Sequence, residues 1–529
     1  MISWKLVSAL PFLALACSGG SSSPPADPGP ADVPAEVDPG SLPDTALDLA
    51  GDEASGPPIP WGPENRGWKT LRGVVHLHSV LSHDGCAPDT PGPDSDAGKK
   101  CLADLRAGAC EAGMDFVFQT DHPGNVSDAT AEQAFHHDPA AVDVLVNDAL
   151  DRPFANKVTC GPKDLVPRTY FFVGTEGKKQ MPIGLAYPVP PEIFSTNYGD
   201  SGDLAAAQAS IAKVHDLGGF AFAAHTEEDD ISADRIRALP LDGMEIYNVH
   251  SNLMAALANM DQLMRLDAFL APGPAPDLGL IVFLAAVAQD GIKFDTVAPH
   301  VRMSLVMATD IHQNVELPAI CEGGIEGNTI CENLAETNPH FAQALVTGGP
   351  LVLSDGERVD GYAHSFRWLS NRVLVAADDP TLIREAAGKG RGYGTFDALG
   401  LPAGFDFFAV VDGKVVEMGE EVSGAKKVEL HLRTPTLAVP GCGLPGVTDC
   451  AAAELTARVI RATKESAGRF VELTGQGKEL NVTLDDEGPA VYRVEISVVP
   501  KHLKPALKGV EDLADLTFTY LYSNAIFVR

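Results

Sequence analysis

The stretch Gly73-Val-Val-His76-Leu-His78-Ser79 ends a short apolar run in two histidines one residue apart. Side chains two apart on a strand share a face, so both imidazoles can reach one point beyond the strand's end. Working outward, five more segments repeat the plan. Asp115-Phe-Val-Phe-Gln-Thr-Asp121-His122 delivers an acid and an imidazole, Phe171-Phe-Val-Gly-Thr-Glu176 a carboxylate, and Phe220-Ala-Phe-Ala-Ala-His225 an imidazole. Met244-Glu245-Ile-Tyr-Asn-Val-His250 and Met307-Ala-Thr-Asp310-Ile-His312 complete the set. Helical stretches such as 102–113 and 205–219 fall between them. Strands alternating with helices predict a parallel sheet or barrel, because each crossover must cover a sheet face. In α/β barrels the C-terminal ends of the strands carry the chemistry, and that is where these ionisable residues fall.

Burying so many ionisable groups together is costly unless cations pair with them. Nitrogen and carboxylate oxygen without sulfur is a donor set that suits Zn, Mn or Fe. Two such ions about 3.5–4 Å apart can share a water, lower its pKa toward about 7, and present hydroxide to phosphorus or a carbonyl carbon. No Gly-x-Ser-x-Gly elbow occurs, so a metal-bridged hydroxide is the expected nucleophile. Just after the first strand, Ser82-His83-Asp84-Gly85 offers two further donors, and His83 and Asp84 both stand as candidates.

In motif content and order the region from about Leu71 to Asp397 resembles the PHP (polymerase and histidinol phosphatase) family. It looks most similar to the CehA/McbA-like branch, through Gly390-Arg-Gly-Tyr393, Tyr492-Arg-Val-Glu495 and Ser523-Asn-Ala-Ile526. The resemblance implies a distorted (β/α)7-type PHP barrel with two or three divalent metal ions. By position, His76, His78, Glu176 and Asp310 would surround one ion, and Glu176 would bridge to a second held by His225 and His250. A third would use Asp84, His122 and His312; without it, His122 or His312 would protonate the leaving group. Two departures stand out: the family reads Ser-Asp-Gly where His83 is inserted here, and His250 has a spacing from Glu245 found in some relatives only.

The other polar residues near these motifs receive plainer readings. Asp121 is expected to orient a ligand imidazole, and Glu245 to hydrogen-bond within the barrel. Glu227 and Glu228 belong to a Glu-Glu-Asp-Asp run that reads as a solvated loop. His136, His137, His215, His300, His340, His364, His431 and His502 match no motif and are taken as structural. Arg391 can orient an anionic substrate or simply end a helix.

The 529 residues carry 72 acids against 39 bases, a net charge of −33, which argues against nucleic acid as a partner. Met1-Ile-Ser-Trp-Lys5 followed by the apolar run 6–16 has the form of an export signal, too short for a membrane span. Leu13-Ala-Leu-Ala-Cys17 resembles the bacterial lipobox, which implies acylation of Cys17, and Ser18 resembles sorting to the outer membrane. The expected localisation is therefore an exported lipoprotein that meets the membrane only through its lipid. Residues 18–66, rich in Pro, Ala and Asp, are expected to be a disordered tether. Residues 67–400 form the expected hydrolase barrel. Alternating strands with an Asp412-Gly413 hairpin turn predict a β-sandwich over 401–529.

Eight further cysteines in an exported chain read as disulfides. Cys321 with Cys331 and Cys442 with Cys450 are the natural local pairs. Cys86, Cys101, Cys110 and Cys160 admit three pairings, all left open. The leading function is a phosphoesterase acting on a small-molecule substrate. Ester or carbamate hydrolysis at the same site is the alternative, and a surface-anchored binding protein with an inactive barrel is a third reading. Cys17→Ser is expected to move the protein from membranes to the soluble fraction, as read by immunoblotting of fractionated cells.

Overall fold

The structure, a computed structural model, describes residues 60–529 except 87–91, 162–167, 258–263, 272–274, 285–289, 315, 318, 322–323, 328, 425–426, 439–446, 448 and 486–487. Cys17, Cys442 and most of the expected tether lie outside the described residues. Pro60 to Arg529 forms one compact unit. It is mixed α/β, with one large mixed sheet and smaller sheets toward the C-terminus.

Nine strands build the first part of the sheet: β1 (Lys69–Leu77), β2 (Phe116–Gln119), β3 (Val144–Asn147), β4 (Pro153–Thr159), β5 (Arg168–Val173), β6 (Gln180–Ile183), β7 (Phe220–Ala223), β8 (Gly243–Asn248) and β9 (Ser304–Ile311). Five parallel pairings run in the spatial order β5, β2, β1, β9, β8, β7. β6 adds antiparallel to β7, and a Val173–Leu185 bridge links the segment after β6 back to β5. The parallel arrangement explains the near-continuous apolar runs, since such strands are covered on both faces. β5, β7 and β9 are buried almost throughout.

Alternate residues of these strands meet in one apolar cluster that includes Val75, Phe116, Phe118, Phe172, Met181, Ile183 and Phe222. Phe118 stacks on Phe172 with ring centroids 4.5 Å apart. Each such side chain stabilises the fold by about 1.5–3 kcal/mol on burial. The crossover helices begin where side chains can accept from free backbone donors: Ser95 caps Asp96–Glu111 and Asp203 caps Leu204–Asp216.

β1 is shared between two pairing systems. Its first half, Lys69–Gly73, pairs antiparallel with Ser370–Val375, while Gly73–Val75 pairs with β2. From Ser370–Val375 the sheet continues through Gly392–Thr395, Phe518–Ser523 and Ala490–Val499 to Glu454–Ala462 and Ala467–Thr474. A separate four-stranded sheet contains Lys414–Glu417, Asp406–Val411, Lys427–Arg433 and Glu479–Asp485. The hairpin expected at Asp412-Gly413 is present, with both residues at positive φ, 50° and 79°. Ala467–Thr474 lacked an alternating apolar signal because it is largely half-exposed along its length.

Residues 60–66, at the end of the expected tether, are packed rather than loose. Arg66 reaches Asp406 at 2.8 Å and Glu417 at 2.6 Å and lies 4.0 Å over the Phe408 ring. Composition did not foresee this, because the partners lie some 340 residues away. The apolar stretch that begins at Leu278 is a buried 3-10 turn Pro276–Leu280 leading into Ile281–Leu284, with 285–289 outside the described residues. Among the described residues no helix is long and apolar enough to cross a membrane.

Of the open pairings, Cys86–Cys101 and Cys110–Cys160 are formed, and Cys321–Cys331 is present as expected. Cys450 is also disulfide-bonded. One buried ion pair joins distant parts of the chain: Arg493 holds both oxygens of Asp295, at 2.7 and 2.8 Å. Removing Asp295 leaves Arg493 charged and buried with Glu495, at 3.3 Å, in place of a two-oxygen partner. Asp295→Asn is expected to cost about 3–5 kcal/mol, measurable by denaturant unfolding.

Candidate metal centre

His76 is the penultimate residue of β1, and His78 follows its end. His122 lies three residues beyond β2, Glu176 three beyond β5, and His225 two beyond β7. Asp310 is the penultimate residue of β9, and His312 follows its end. These side chains form three overlapping groups whose ligand atoms lie within 4.8 Å of one another: His78, Asp84, His122 and His312; His76, His78 and Glu176; and His76, His225 and Asp310.

The hydrogen bonds fix how each imidazole is turned. His76 Nδ1 meets the carboxylate of Glu245, and His225 Nδ1 lies 3.2 Å from Glu227 Oε1. His122 Nδ1 donates to the Glu176 carbonyl at 3.0 Å, and His312 Nδ1 to the Asp310 carbonyl at 3.1 Å. His78 Nδ1 is 3.1 Å from Ser82 Oγ, whose own hydrogen goes to Asp84 at 2.8 Å, so the ring donates here too. In all five rings Nδ1 is therefore the donor, which leaves Nε2 as a lone pair in the neutral form.

Every one of those Nε2 atoms faces a carboxylate. His76 and His78 lie 3.0 and 3.1 Å from Asp310 Oδ1; His122 and His312 lie 3.4 and 3.6 Å from Asp84; His225 lies 3.5 Å from Glu176 and 3.7 Å from Asp310. His76 Nε2, Glu176 Oε2 and His312 Nε2 are buried and make no hydrogen bond. Lone pair against anion is repulsive, and a cation between them reverses the sign. The donor set therefore fits divalent metal ions.

The electrostatics of the groups by themselves express the same demand for positive charge. Burial opposes a charged ring at His76, but Asp310 and Glu245 outweigh it and push the pKa up to about 10. At His122 burial is likewise outweighed by Asp84 and Glu176, and the value rises to about 11. His78 goes the other way, down to about 4, through burial and the neighbouring His122. Glu176 and Asp310 are held well below the carboxylate range against the effect of burial, the first by His122 and His225, the second chiefly by His76 and His225.

The backbone is shaped around the cluster. His76, His225 and Asp310 all take positive φ, 64°, 49° and 47°, a conformation that non-glycine residues adopt at a cost of about 1–3 kcal/mol. Gly174 permits the approach that brings Glu176 in: a Cβ there would stand 2.3 Å from the Pro182 carbonyl oxygen. Asp121, fully buried and raised to about 6 by burial, accepts from Ser79 N at 2.5 Å and Ser79 Oγ at 2.8 Å. It thus orders the backbone after His78 instead of orienting an imidazole, contrary to the expectation from sequence. Glu245 takes that orienting part, on His76, and also accepts from His225 N at 2.7 Å.

Between the two open candidates, Asp84 joins the cluster while the His83 side chain is 66 % exposed. His250 joins none of the ligand groups and lies beside His312, rings 5.0 Å apart. The chain turns into helix Val249–Leu257 at that point, so it is Asn248, not singled out in the sequence, that reaches the centre. Its Nδ2 lies 3.1 Å from Asp310 Oδ2 and 3.3 Å from His225 Nδ1. Glu227 is no solvated acid; its side chain is 10 % exposed and shares His225 with Ser251. Lys293 grips the loop behind it through the carbonyls of Thr226, Glu228 and Ile231. Arg391 lies over Trp68, 4.6 Å from the ring, and pairs with Glu420.

No family model matches the chain, and no curated protein does. Among solved structures, a two-domain protein containing a predicted PHP-like metal-dependent phosphoesterase from Bacteroides vulgatus is 14% identical, with 86% of this chain and 95% of that chain covered and a TM-score of 0.28. At that TM-score the likeness carries no argument, and the assignment rests on the site itself. Carboxylates that orient a ligand imidazole affect metal affinity by about 10–100-fold. Glu245→Gln is expected to weaken metal binding by that factor, as read by competition with a chelator of known affinity.

Proposed function

We propose that this chain is a metal-dependent hydrolase of the PHP type, acting on phosphoesters. The observation that carries the reading is the convergence of five Nε2 atoms on the carboxylates of Asp84, Glu176 and Asp310. The order of the motifs along the chain supports the family, and the β5, β2, β1, β9, β8, β7, β6 succession with its Val173–Leu185 bridge supports a distorted (β/α)7 barrel. The disulfides Cys86–Cys101, Cys110–Cys160 and Cys321–Cys331 support an oxidising compartment, in line with export as a lipoprotein.

His76, His78, Glu176, His225 and Asp310 would hold two ions, and Glu176, which groups with His76 and His78 and lies 3.5 Å from His225 Nε2, would be shared between them. When bound, such ions supply an activated water and polarise the scissile oxygen. Glu245 and Glu227 keep two of the imidazoles in the tautomer that can ligate. Asp84, His122 and His312 either hold a third ion or, with two ions bound, leave His122, the more exposed ring at 19 %, to protonate the leaving group.

Metal analysis of the purified mature protein is expected to give two or three transition-metal ions per chain that are lost in Glu176→Gln combined with Asp310→Asn; less than one such ion would sink the enzyme reading. A screen of phosphomonoesters, phosphodiesters and aryl carbamates is expected to find phosphoester turnover. Glu176→Gln should lower kcat/KM at least about 100-fold, since even partners outside the ligand set cost about 10–100-fold. Carbamate turnover alone would move the substrate class to the esterase alternative, and equal turnover by the variant would remove the bridging role.

A further inference from the structure

A second group of metal-type donors lies outside this centre. Asp355-Gly356-Glu357 forms the tip of a tight turn: Leu353 N donates to the Glu357 carbonyl at 2.8 Å, Val352 bridges to Arg358, and Gly356 takes φ 86°. Both carboxylates of the turn approach His364, on helix Tyr362–Trp368, a residue that matched no motif and read as structural.

His364 is fully buried, its ring stacked on Trp368 with centroids 6.1 Å apart. Its Nδ1 lies 2.6 Å from Asp277 Oδ1. A carboxylate can only accept, so Nδ1 carries the hydrogen and Nε2 of the neutral ring presents a lone pair. That Nε2 makes no hydrogen bond, yet it points at Asp355 Oδ2, 3.3 Å away, and Glu357 Oε2, 3.4 Å away. Three carboxylates, Asp277, Asp355 and Glu357, meet at His364, and one guanidinium, Arg367, holds two of them, Asp277 at 3.0 Å and Glu357 at 3.2 Å. Negative charge is in excess, and the buried ring turns its unfilled atom into it.

We propose that His364 Nε2, Asp355 and Glu357 bind one divalent transition-metal ion at a site separate from the catalytic cluster. One imidazole with two carboxylates suits Zn2+. Asp277 has the place of the carboxylate that fixes a ligand imidazole's tautomer. Asp355 and Glu357 are 30 % and 42 % exposed at their side chains, so the ion enters from solvent and keeps water among its ligands. Arg367 Nη2 reaches the same Glu357 oxygen that faces His364, Oε2, at 3.2 Å, and would share it with the ion. The ion would fasten the 353–357 turn to helix Tyr362–Trp368. Tyr362 of that helix donates to the His78 carbonyl at 2.7 Å, so the site braces the backbone behind a principal ligand without touching substrate.

The test uses the full mature chain, saturated with Zn2+ by equilibrium dialysis and analysed by mass spectrometry for metal per folded chain. Asp355→Asn combined with Glu357→Gln, both at partly exposed positions, is expected to lose one zinc equivalent relative to wild type and to keep its phosphoester turnover. Glu176→Gln combined with Asp310→Asn is expected to lose zinc from the catalytic cluster and keep this equivalent, so the two sites fail independently. In that background added Zn2+ should still raise Tm, and the rise should vanish on adding Asp355→Asn. Equal zinc content in wild type and the Asp355/Glu357 variant would overturn the proposal; it would mean that a proton and Arg367 alone serve the group.

Discussion

Asp84, Glu176 and Asp310 bring carboxylate oxygens within 3.0–3.7 Å of the Nε2 atoms of five imidazoles, in a pocket where water contributes little. Both sides of each contact are electron-rich when the rings are neutral. The arrangement holds only when positive charge is supplied between them. Much of the surrounding structure keeps those atoms facing one another. Each Nδ1 is tied to a carboxylate, a carbonyl or a hydroxyl, so no ring can turn away without losing a hydrogen bond.

The supporting contacts come from far along the chain. Asp121 of the loop after β2 holds Ser79, Tyr362 holds the His78 carbonyl, and Lys293 clamps the loop that follows His225. Cys86–Cys101 fastens the segment that carries Asp84 to the first long helix, and Cys110–Cys160 fastens that helix to the strand β4 edge. Left-handed backbone at His76, His225 and Asp310 is sustained because neighbours on several sides determine those positions. The strain and the ligand geometry therefore belong to one design, in which packing offsets the cost of aiming the side chains.

Much of this was legible in the sequence because it is local. Strand runs ending in His, Asp or Glu show in residue order, and the Asp412-Gly413 turn follows from two residues that tolerate positive φ. The residues missed are those whose part depends on a distant partner. Asn248 looks like any strand-end amide until Asp310 lies beside it, and Glu227 sits in an acidic run whose solvated look conceals its contact with His225. His250, which the family resemblance implies as a ligand, falls outside the ligand groups because the strand ends at Asn248 and the chain turns into a helix. Asp121 was given the wrong partner for a related reason: an acid beside a ligand histidine suggests an imidazole contact, whereas here the backbone after His78 is nearer.

β1 also bears on how the chain is assembled. Its first half is a member of a sheet that runs on through Ser370–Val375 and Gly392–Thr395 to Phe518–Ser523. The strand presenting His76 and His78 thus gains its last hydrogen-bonded neighbour only once Ser370–Val375 has been made. Pairings across such sequence separations are slow to form, since long loops must close first. The residues of the cluster therefore stay dispersed until late, and the candidate metal centre becomes a product of the completed fold rather than of a module that matures early.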